Sequence, residues 1–345
     1  MKYIGNKTKI IDFIEKSLID SDVKYKNKRV MDLFSGTGSV SKFFLRNNCE
    51  VISCDNMTYS VAEQYRVNYF RDIPNFEELE LYVGGSRIEE VLYFLNNLEP
   101  QKGYFYENYA PNGIFKRQYF TNENAMKIDA IRSEIETWKD VLSYEKYMYL
   151  LGILMNASDR VSNTSGTYGA YLKIWRSMAL KELRLEVPEN IKNGKNIINL
   201  DDVLDCVDKY KNLDIIYLDP PYNTRQYASN FHVLENIVVF DKQKLNGKTG
   251  LRNYKEQKSD FSLKTKVEKA LKKLLIKSST KVIVMSYSTE GLIKEEKLYN
   301  LLSEFGETKV YRKDYRRFKT NAWTSKETNL QELLFVTKIR NIEVD

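Results

Sequence analysis

Asp219-Pro220-Pro221-Tyr222 brings a carboxylate, a stiff backbone and an aromatic ring together directly after the apolar run Ile215 to Leu218. Consecutive prolines hold the chain extended and are excluded from helix interiors and central strands, so the tetrapeptide reads as the rigid exit of a strand. The Asp219 carboxylate and the Pro220 carbonyl then form a fixed pair of hydrogen-bond acceptors. A planar exocyclic amine offers two donor hydrogens to match. Its nitrogen is a poor nucleophile because the lone pair is delocalised into the ring. Two acceptors aimed at it favour a transition state in which that nitrogen becomes positive. Tyr222 supplies a face on which the ring can stack. An ordinary Asp-Pro turn is the plain alternative, but the preceding strand favours a site, since open α/β sheets bind ligands at the carboxyl ends of their strands.

A second constellation is Asp32-Leu33-Phe34-Ser35-Gly36-Thr37-Gly38, followed by Asp55 about 20 residues after the turn begins. Glycines between a strand and a helix let a ligand approach the backbone near the helix N-terminus. An acidic side chain at the end of the next strand can accept hydrogen bonds from both hydroxyls of a ribose. The third glycine of a dinucleotide fingerprint is absent, and a tight strand-to-helix turn would account for the two glycines alone. Together with Asp55 they imply a nucleoside cofactor without saying which.

These residues need a sheet to present them. Arg29 to Phe34 reads as a strand, Ser35 to Gly38 as a turn, Val40 to Arg46 as a helix, and Glu50 to Cys54 as a second strand ending at Asp55. Further strands are expected at Asn196 to Asn199, Asp214 to Leu218 and Lys281 to Ser286, with a helix at Leu263 to Ile276 and a closing hairpin from about Thr308 to Lys338. From Arg71 to Lys195 the periodicity is helical, without strand alternation. The division expected is a catalytic domain from 1–70 and 196–345, and an inserted helical domain over 71–195. Thr224 to Asp260 and Tyr315 to Asn329 read as functional loops.

The chain has 345 residues, with 54 Lys plus Arg against 47 Asp plus Glu, a net charge of +7 that suits an acidic partner. Its longest apolar stretch, Tyr147 to Met155, is far short of the roughly 20 residues that cross a bilayer, so no membrane span is expected. Charges in the first residues argue against an export signal. Cys49, Cys54 and Cys206 lack metal spacing and the single histidine, His232, cannot complete a site, so no metal is expected and His232 reads as structural. Lys269, Lys272 and Lys273 read as the wet face of an amphipathic helix.

Basic residues with aromatic neighbours recur at Trp175-Arg176, Tyr311-Arg312 and Tyr315-Arg316-Arg317-Phe318-Lys319, while Lys173, Arg225 and Arg252 lie in candidate loops. Lys173, Arg176, Arg225, Arg252, Arg316 and Arg317 are the candidate nucleic-acid contacts, phosphate binding with stacking being what such neighbours do. At any one position a solvated basic edge explains the same residues. Gly166 and Gly169, set among hydroxyl and aromatic residues, form either a loop that packs against a flipped nucleotide or phosphate or a tight loop beneath the insertion.

The motifs, in this order, resemble the Dam-like class of DNA adenine-specific (N6) methyltransferases, and the resemblance covers most of the chain. Lys2-Tyr3-Ile4-Gly5-Asn6-Lys7 looks like that class's N-terminal cofactor motif. The resemblance implies that Tyr3 and Lys7 touch S-adenosylmethionine, that Asp32, Phe34, Gly36 and Gly38 hold its methionine part, and that Asp55 holds its ribose. Asn199-Leu200-Asp201-Asp202 looks like the motif whose acid meets the cofactor adenine, with Asp201 preferred and Asp202 read as an N-cap. Asn163 to Lys173 and Tyr222 to Tyr227 are similar to a subgroup found in type IIS restriction-modification systems.

What the resemblance implies is an α/β, Rossmann-like S-adenosylmethionine-dependent methyltransferase fold with a mainly helical inserted target-recognition domain. The activity implied is site-specific methylation of an adenine flipped out of double-stranded DNA, with Asp219, Pro220, Pro221 and Tyr222 at the reaction. A restriction system of that kind pairs the enzyme with a cognate restriction endonuclease, in the cytoplasm of a prokaryote or phage-infected cell, at the nucleoid. A cytosine-N4 or RNA adenine methyltransferase, or a catalytically silent DNA-binding regulator of the same fold, are the alternatives.

Overall fold

A computed structural model describes residues 7–189, 194–315 and 330–340. Seven strands form one sheet: β1 (Arg29–Leu33), β2 (Glu50–Asp55), β3 (Lys195–Leu200), β4 (Leu213–Leu218), β5 (Thr280–Ser288), β6 (Gly306–Tyr315) and β7 (Leu330–Ile339). Their order is β3-β2-β1-β4-β5-β7-β6. The first five run parallel, and β7 is antiparallel to both β5 and β6. This is the α/β, Rossmann-like sheet expected from the sequence. The chain steps outward from β1 through β2 to β3 and then returns to β4 on the other side of β1, which makes the β1–β4 junction the switch point where such sheets open a crevice.

Helices α1 (Ile11–Asp20) and α2 (Ser39–Arg46) cover one face of the sheet. Helices α9 (Val203–Lys209), α12 (Val267–Lys277) and α13 (Glu295–Ser303) cover the other. The third core belongs to the helical segment: α3 (Thr58–Gln64), with a π-helical turn over Tyr65–Tyr69, α4 (Glu80–Val83), α5 (Ile88–Asn96), α6 (Tyr104–Tyr109), α7 (Asn122–Thr137), α8 (Tyr144–Arg160), α10 (Tyr227–Asn230) and α11 (His232–Val239).

Helix α8 carries the apolar stretch noted above and lies close against α3. A Cβ at Gly152 would come within 2.3 Å of the Ala62 carbonyl oxygen, so that approach requires glycine. From α7, the fully buried Arg132 guanidinium donates to the Ile237 and Val238 carbonyls at 2.7 and 3.2 Å. It lies over the Phe240 ring at 4.3 Å. A cation placed there satisfies carbonyls at the end of α11 that the helix itself cannot. The inserted helices therefore share one core with α3 and α11, which leads directly out of the Asp219 segment.

Two boundaries differ from the sequence reading. The helix expected from Leu263 begins at Val267, after a short 3-10 turn over Asp260–Ser262. The loop expected over 224–260 contains α10 and α11, because Val233, Leu234, Ile237 and Val238 recur at helical spacing and are buried on the α3/α8 core. Among the described residues, no helix is long and apolar enough to cross a membrane, and no group of three or more His, Cys, Asp or Glu could hold a metal ion.

Candidate active site

The register pairs Leu33 with Leu218, so Phe34 and Asp219 leave the carboxyl ends of adjacent strands side by side. A cleft opens there, at the carboxyl ends of the strands. Phe34, Asp55, Met57, Asp202 and Val203 line one part, and Asp219, Pro221 and Gln226 to Ala228 another, with Gln257, Ser259 and Ser262 completing the wall. A smaller hollow, lined by Lys7, Asp32, Gly36, Ser39 and Tyr217 among others, shares Phe34 and Asp219 with it.

The turn after β1 is built for close approach. Gly36 and Gly38 have φ of +50° and +74°, left-handed conformations that glycine adopts without strain, and Phe34 before them is held at +65°. The Asp55 carboxylate fixes it by accepting from the Gly36 N–H at 2.8 Å and, through its other oxygen, from the Met57 N–H at 2.9 Å. Gln64 donates to the Ser35 hydroxyl at 2.7 Å and the Gly36 carbonyl at 3.1 Å, and Asn68 donates to the Gly38 carbonyl at 2.9 Å. A Cβ on Gly38 would lie 2.3 Å from the Asn68 amide nitrogen. Gln64 and Asn68 escaped the sequence reading; two amides four residues apart on one helical face were the available signal.

Three of the acids facing this space are held above their ordinary values. Asp32 is buried and accepts from the Ser41 hydroxyl at 2.5 Å. Burial pushes its carboxyl up to about 7, the Ser41 bond opposing this and nearby Asp219 adding to it. Burial raises Asp55 to about 6 against the pull of its backbone N–H donors. Asp219 is likewise pushed up to about 6 by burial, with Lys7 lowering it and Glu332 raising it. Lys7 is itself nearly enclosed, its ammonium 2.6 Å from Glu332 Oε1 and 3.1 Å from Asp219 Oδ1. Burial opposes its charge, but the two carboxylates outweigh that and hold it well above its ordinary value.

Pro220 and Pro221 are buried, and half-buried Tyr222 packs against the sheet-face core while its carbonyl accepts from Leu292 N–H at 3.0 Å. The Gln226 side chain and the Ser259 backbone exchange hydrogen bonds at 3.3 and 3.0 Å, and Phe261 meets Phe34 edge to face at 4.8 Å. Residues 255–262 are thus fastened across the cleft. Asp202 caps α9 through the Leu204 N–H and also lines the cleft, whereas Asp201, the residue preferred from sequence, pairs with Lys209 and is not among the lining residues. The bland reading of Asp202 as a cap and a ligand-facing position are one and the same residue.

Tyr3, Arg316 and Arg317 lie outside the described residues. Lys173 and Arg225 are exposed. Arg176 is half-buried and donates to the Thr164 carbonyl at 2.5 Å. Arg252 has to be withdrawn as a surface contact: its side chain is 7% exposed and bonds Asn236 at 2.8 Å and Asp241 at 2.9 Å, tying its loop to α11. Removing it leaves the buried Asn236 side-chain oxygen unpaired and deletes a buried side chain, so Arg252→Ala should lower the unfolding free energy by about 1–3 kcal/mol. Arg225→Ala should leave it within about 0.5 kcal/mol while weakening DNA binding. Urea denaturation of both variants and salt-dependent DNA binding check the contrast.

His232 is buried, each ring nitrogen 3.1 Å from a backbone carbonyl, of Ser229 and Thr249 respectively, as a structural histidine should be. Lys269, Lys272 and Lys273 form the wet face of α12. In the 163–173 loop, nothing stands within 4 Å of a Cβ at Gly166 or Gly169, while Tyr168 is buried and its N–H donates to the Asn230 carbonyl at 2.7 Å. That loop is therefore fixed to the segment that follows Asp219.

Residues 3–301 match the family described as D12 class N6 adenine-specific DNA methyltransferase. The chain is 38% identical over 344 residues to the type II methyltransferase M.FokI of Planomicrobium okeanokoites, covering 97% of this chain and 52% of that protein. It is 36% identical over 328 residues to the type II methyltransferase M.NlaIII of Neisseria lactamica, covering 93% of each. To the type II methyltransferase M.CviAII of Paramecium bursaria Chlorella virus 1 it is 33% identical over 342 residues, covering 98% of each. The chain thus spans about half the length of M.FokI and nearly the whole of the other two.

Proposed function

Because the chain belongs to the D12 class of N6 adenine-specific DNA methyltransferases, we propose that it transfers a methyl group from S-adenosylmethionine to the exocyclic amine of an adenine turned out of duplex DNA. The observation that carries this reading is a single cleft lined by Asp55, Asp202, Asp219 and Pro221, in which Asp55 and Asp202 follow β2 and β3 while Asp219 follows β4 on the other side of β1. A nucleoside cofactor and a target base need such adjoining seats.

The residues present fit the cofactor. Asp32 and Asp55 are buried acids held above their ordinary values, an environment that favours a ligand carrying cationic centres. Phe34, Met57 and Val203 offer apolar flanks, Asp55 and Asp202 offer acceptors for hydroxyl and amine groups, and the Gly36–Gly38 turn permits backbone approach. When bound, S-adenosylmethionine supplies an electrophilic methyl group. Tyr3 joins its contacts by resemblance alone.

Asp219 and the Pro220 carbonyl accept the two amine hydrogens and thereby orient the nitrogen lone pair out of the ring plane. Because both acceptors are held by the proline pair, they need no rearrangement as positive charge grows on nitrogen. Tyr222 stacks on the extruded base. Extrusion costs a few kcal/mol, which stacking and hydrogen bonds in the pocket offset. The segment 71–195 serves as target-recognition domain, and exposed Lys173 and Arg225, with Arg316 and Arg317, meet phosphates. The modification-methylase character of the relatives supports a cognate restriction endonuclease as partner, acting in the cytoplasm of a prokaryote or on a viral genome.

Labelled-methyl transfer to mixed-sequence duplex DNA, followed by mass spectrometry of the nucleosides, tests the proposal. N6-methyladenine is expected. Label in N4-methylcytosine, a preference for RNA, or no transfer at all overturns it.

A further inference from the structure

Lys7 is shared unequally between two carboxylates. Its ammonium is 2.6 Å from Glu332 and 3.1 Å from Asp219. Glu332, on β7, is only 11% exposed, and its Oε1 also accepts from the buried Ser286 hydroxyl of β5 at 2.5 Å. Glu332 is not among the residues lining the cleft or the adjoining hollow and has no part in the chemistry described above. Yet an ammonium held only by Asp219 would close on the one carboxylate meant for the substrate amine. Its charge would then oppose the positive charge that develops on that amine.

We propose that Glu332 is a positioning residue for methyl transfer: by drawing the shared Lys7 ammonium toward β7, it holds the Lys7–Asp219 contact at the longer of the two separations and keeps Asp219 available as an acceptor for the substrate amine. The other groups near Asp219 are the acids Asp32 on β1 and Asp55 on β2 and the phenols Tyr217 on β4, Tyr222 and Tyr227. Among these groups Lys7 is the cation. Its placement therefore decides how much negative charge Asp219 presents. Electrostatics agrees in direction, since Lys7 lowers Asp219 and Glu332 raises it.

Glu332→Gln keeps the shape and an acceptor for Ser286 but removes the charge. Single-turnover methyl transfer at saturating S-adenosylmethionine should fall about tenfold, as expected when an acceptor aimed at developing charge is weakened. The acid limb of the pH–rate profile should move to lower pH, because a neighbouring negative charge has gone. Carbon-13 titration of the Asp219 carboxyl in the cofactor-free protein should move the same way. Above the Asp219 midpoint, the double variant K7M/E332Q should be faster than E332Q, since no ammonium remains to close on Asp219.

A Glu332 that merely supports the fold would lower thermal stability and leave the Asp219 midpoint and the acid limb unmoved, which overturns the proposal. If E332Q does not fold, Glu332→Asp, which keeps the charge but draws the carboxylate back from the Lys7 ammonium, takes its place, and an acid limb and single-turnover rate unmoved there overturn the proposal too. The inference rests on the methyl-transfer reading, and the two fail differently. A wild type that methylates no DNA fails that reading, whereas an Asp219 midpoint indifferent to Glu332 fails this one.

Discussion

Replacing Asp219 with alanine is expected to slow single-turnover methyl transfer by on the order of a hundredfold or more, while S-adenosylmethionine affinity stays within about threefold of wild type. The reason for the split is positional. Asp219 exits β4 at the end of the cleft marked by Pro221, whereas Asp55 and Asp202, the proposed nucleoside contacts, come from the ends of β2 and β3. Losing Asp219 removes an acceptor whose worth is greatest when the amine nitrogen becomes positive, and such interactions appear in rate more than in binding. Calorimetry for the cofactor and rapid-quench kinetics for the methyl group measure the two separately. A parallel loss in both would mean that Asp219 holds the cleft together and does not serve the amine.

The wild type should also show a pH signature that the variant lacks. Burial raises Asp219 to about 6, so the carboxylate that accepts from the amine predominates only above that pH. Rates should rise through about pH 6, and Asp219→Ala should lose that limb. The stability sign runs the opposite way. A carboxyl raised in the folded state contributes stability that is present below its unfolded value near 4 and is lost as pH rises through its folded value. The ionised, reactive form is thus also the less stable one.

Strand positions were legible because β1, β2, β4 and β5 are apolar runs bounded by turn residues, and the carboxylates fall where the runs end. The prolines after Asp219 and the glycines after Asp32 mark the same ends a second time. Lys7 was legible only by resemblance. Glu332 was not, because its partner lies 325 residues away in sequence and only the β5–β7 pairing brings it to Ser286 and Lys7. Gln64 and Asn68 were hidden for a related reason: an amide on a helix looks like surface until the turn it braces is placed beneath it. Arg252 misled in the opposite direction. A basic residue in a Gly- and Asn-rich loop reads as exposed, and only the fold shows that Asn236 and Asp241 enclose it. The single-residue choice between Asp201 and Asp202 depended on where β3 stops, a boundary that periodicity alone fixes poorly.

Asp55→Asn, nominally conservative, is expected to weaken S-adenosylmethionine binding by on the order of a hundredfold, about 2.7 kcal/mol. Each carboxylate oxygen accepts from a backbone N–H, of Gly36 at 2.8 Å and of Met57 at 2.9 Å. An amide has one acceptor oxygen, so its NH₂ must confront one of those N–H donors, and either the Gly36 turn or the start of α3 has to move. The substitution also removes a negative charge from a cleft whose proposed ligand carries a sulfonium. Asp32→Asn is the control for the turn, since the Ser41 hydroxyl that Asp32 accepts from can donate equally to an amide oxygen. Because burial raises Asp55 to about 6, its proton must leave before the ionised form meets a cationic ligand. Wild-type affinity should therefore tighten as pH rises through about 6, and the slope should shrink in Asp55→Asn without vanishing, because Asp32 titrates nearby, at about 7. Calorimetry across that range decides it: unchanged affinity together with an unchanged slope would take the nucleoside away from Asp55.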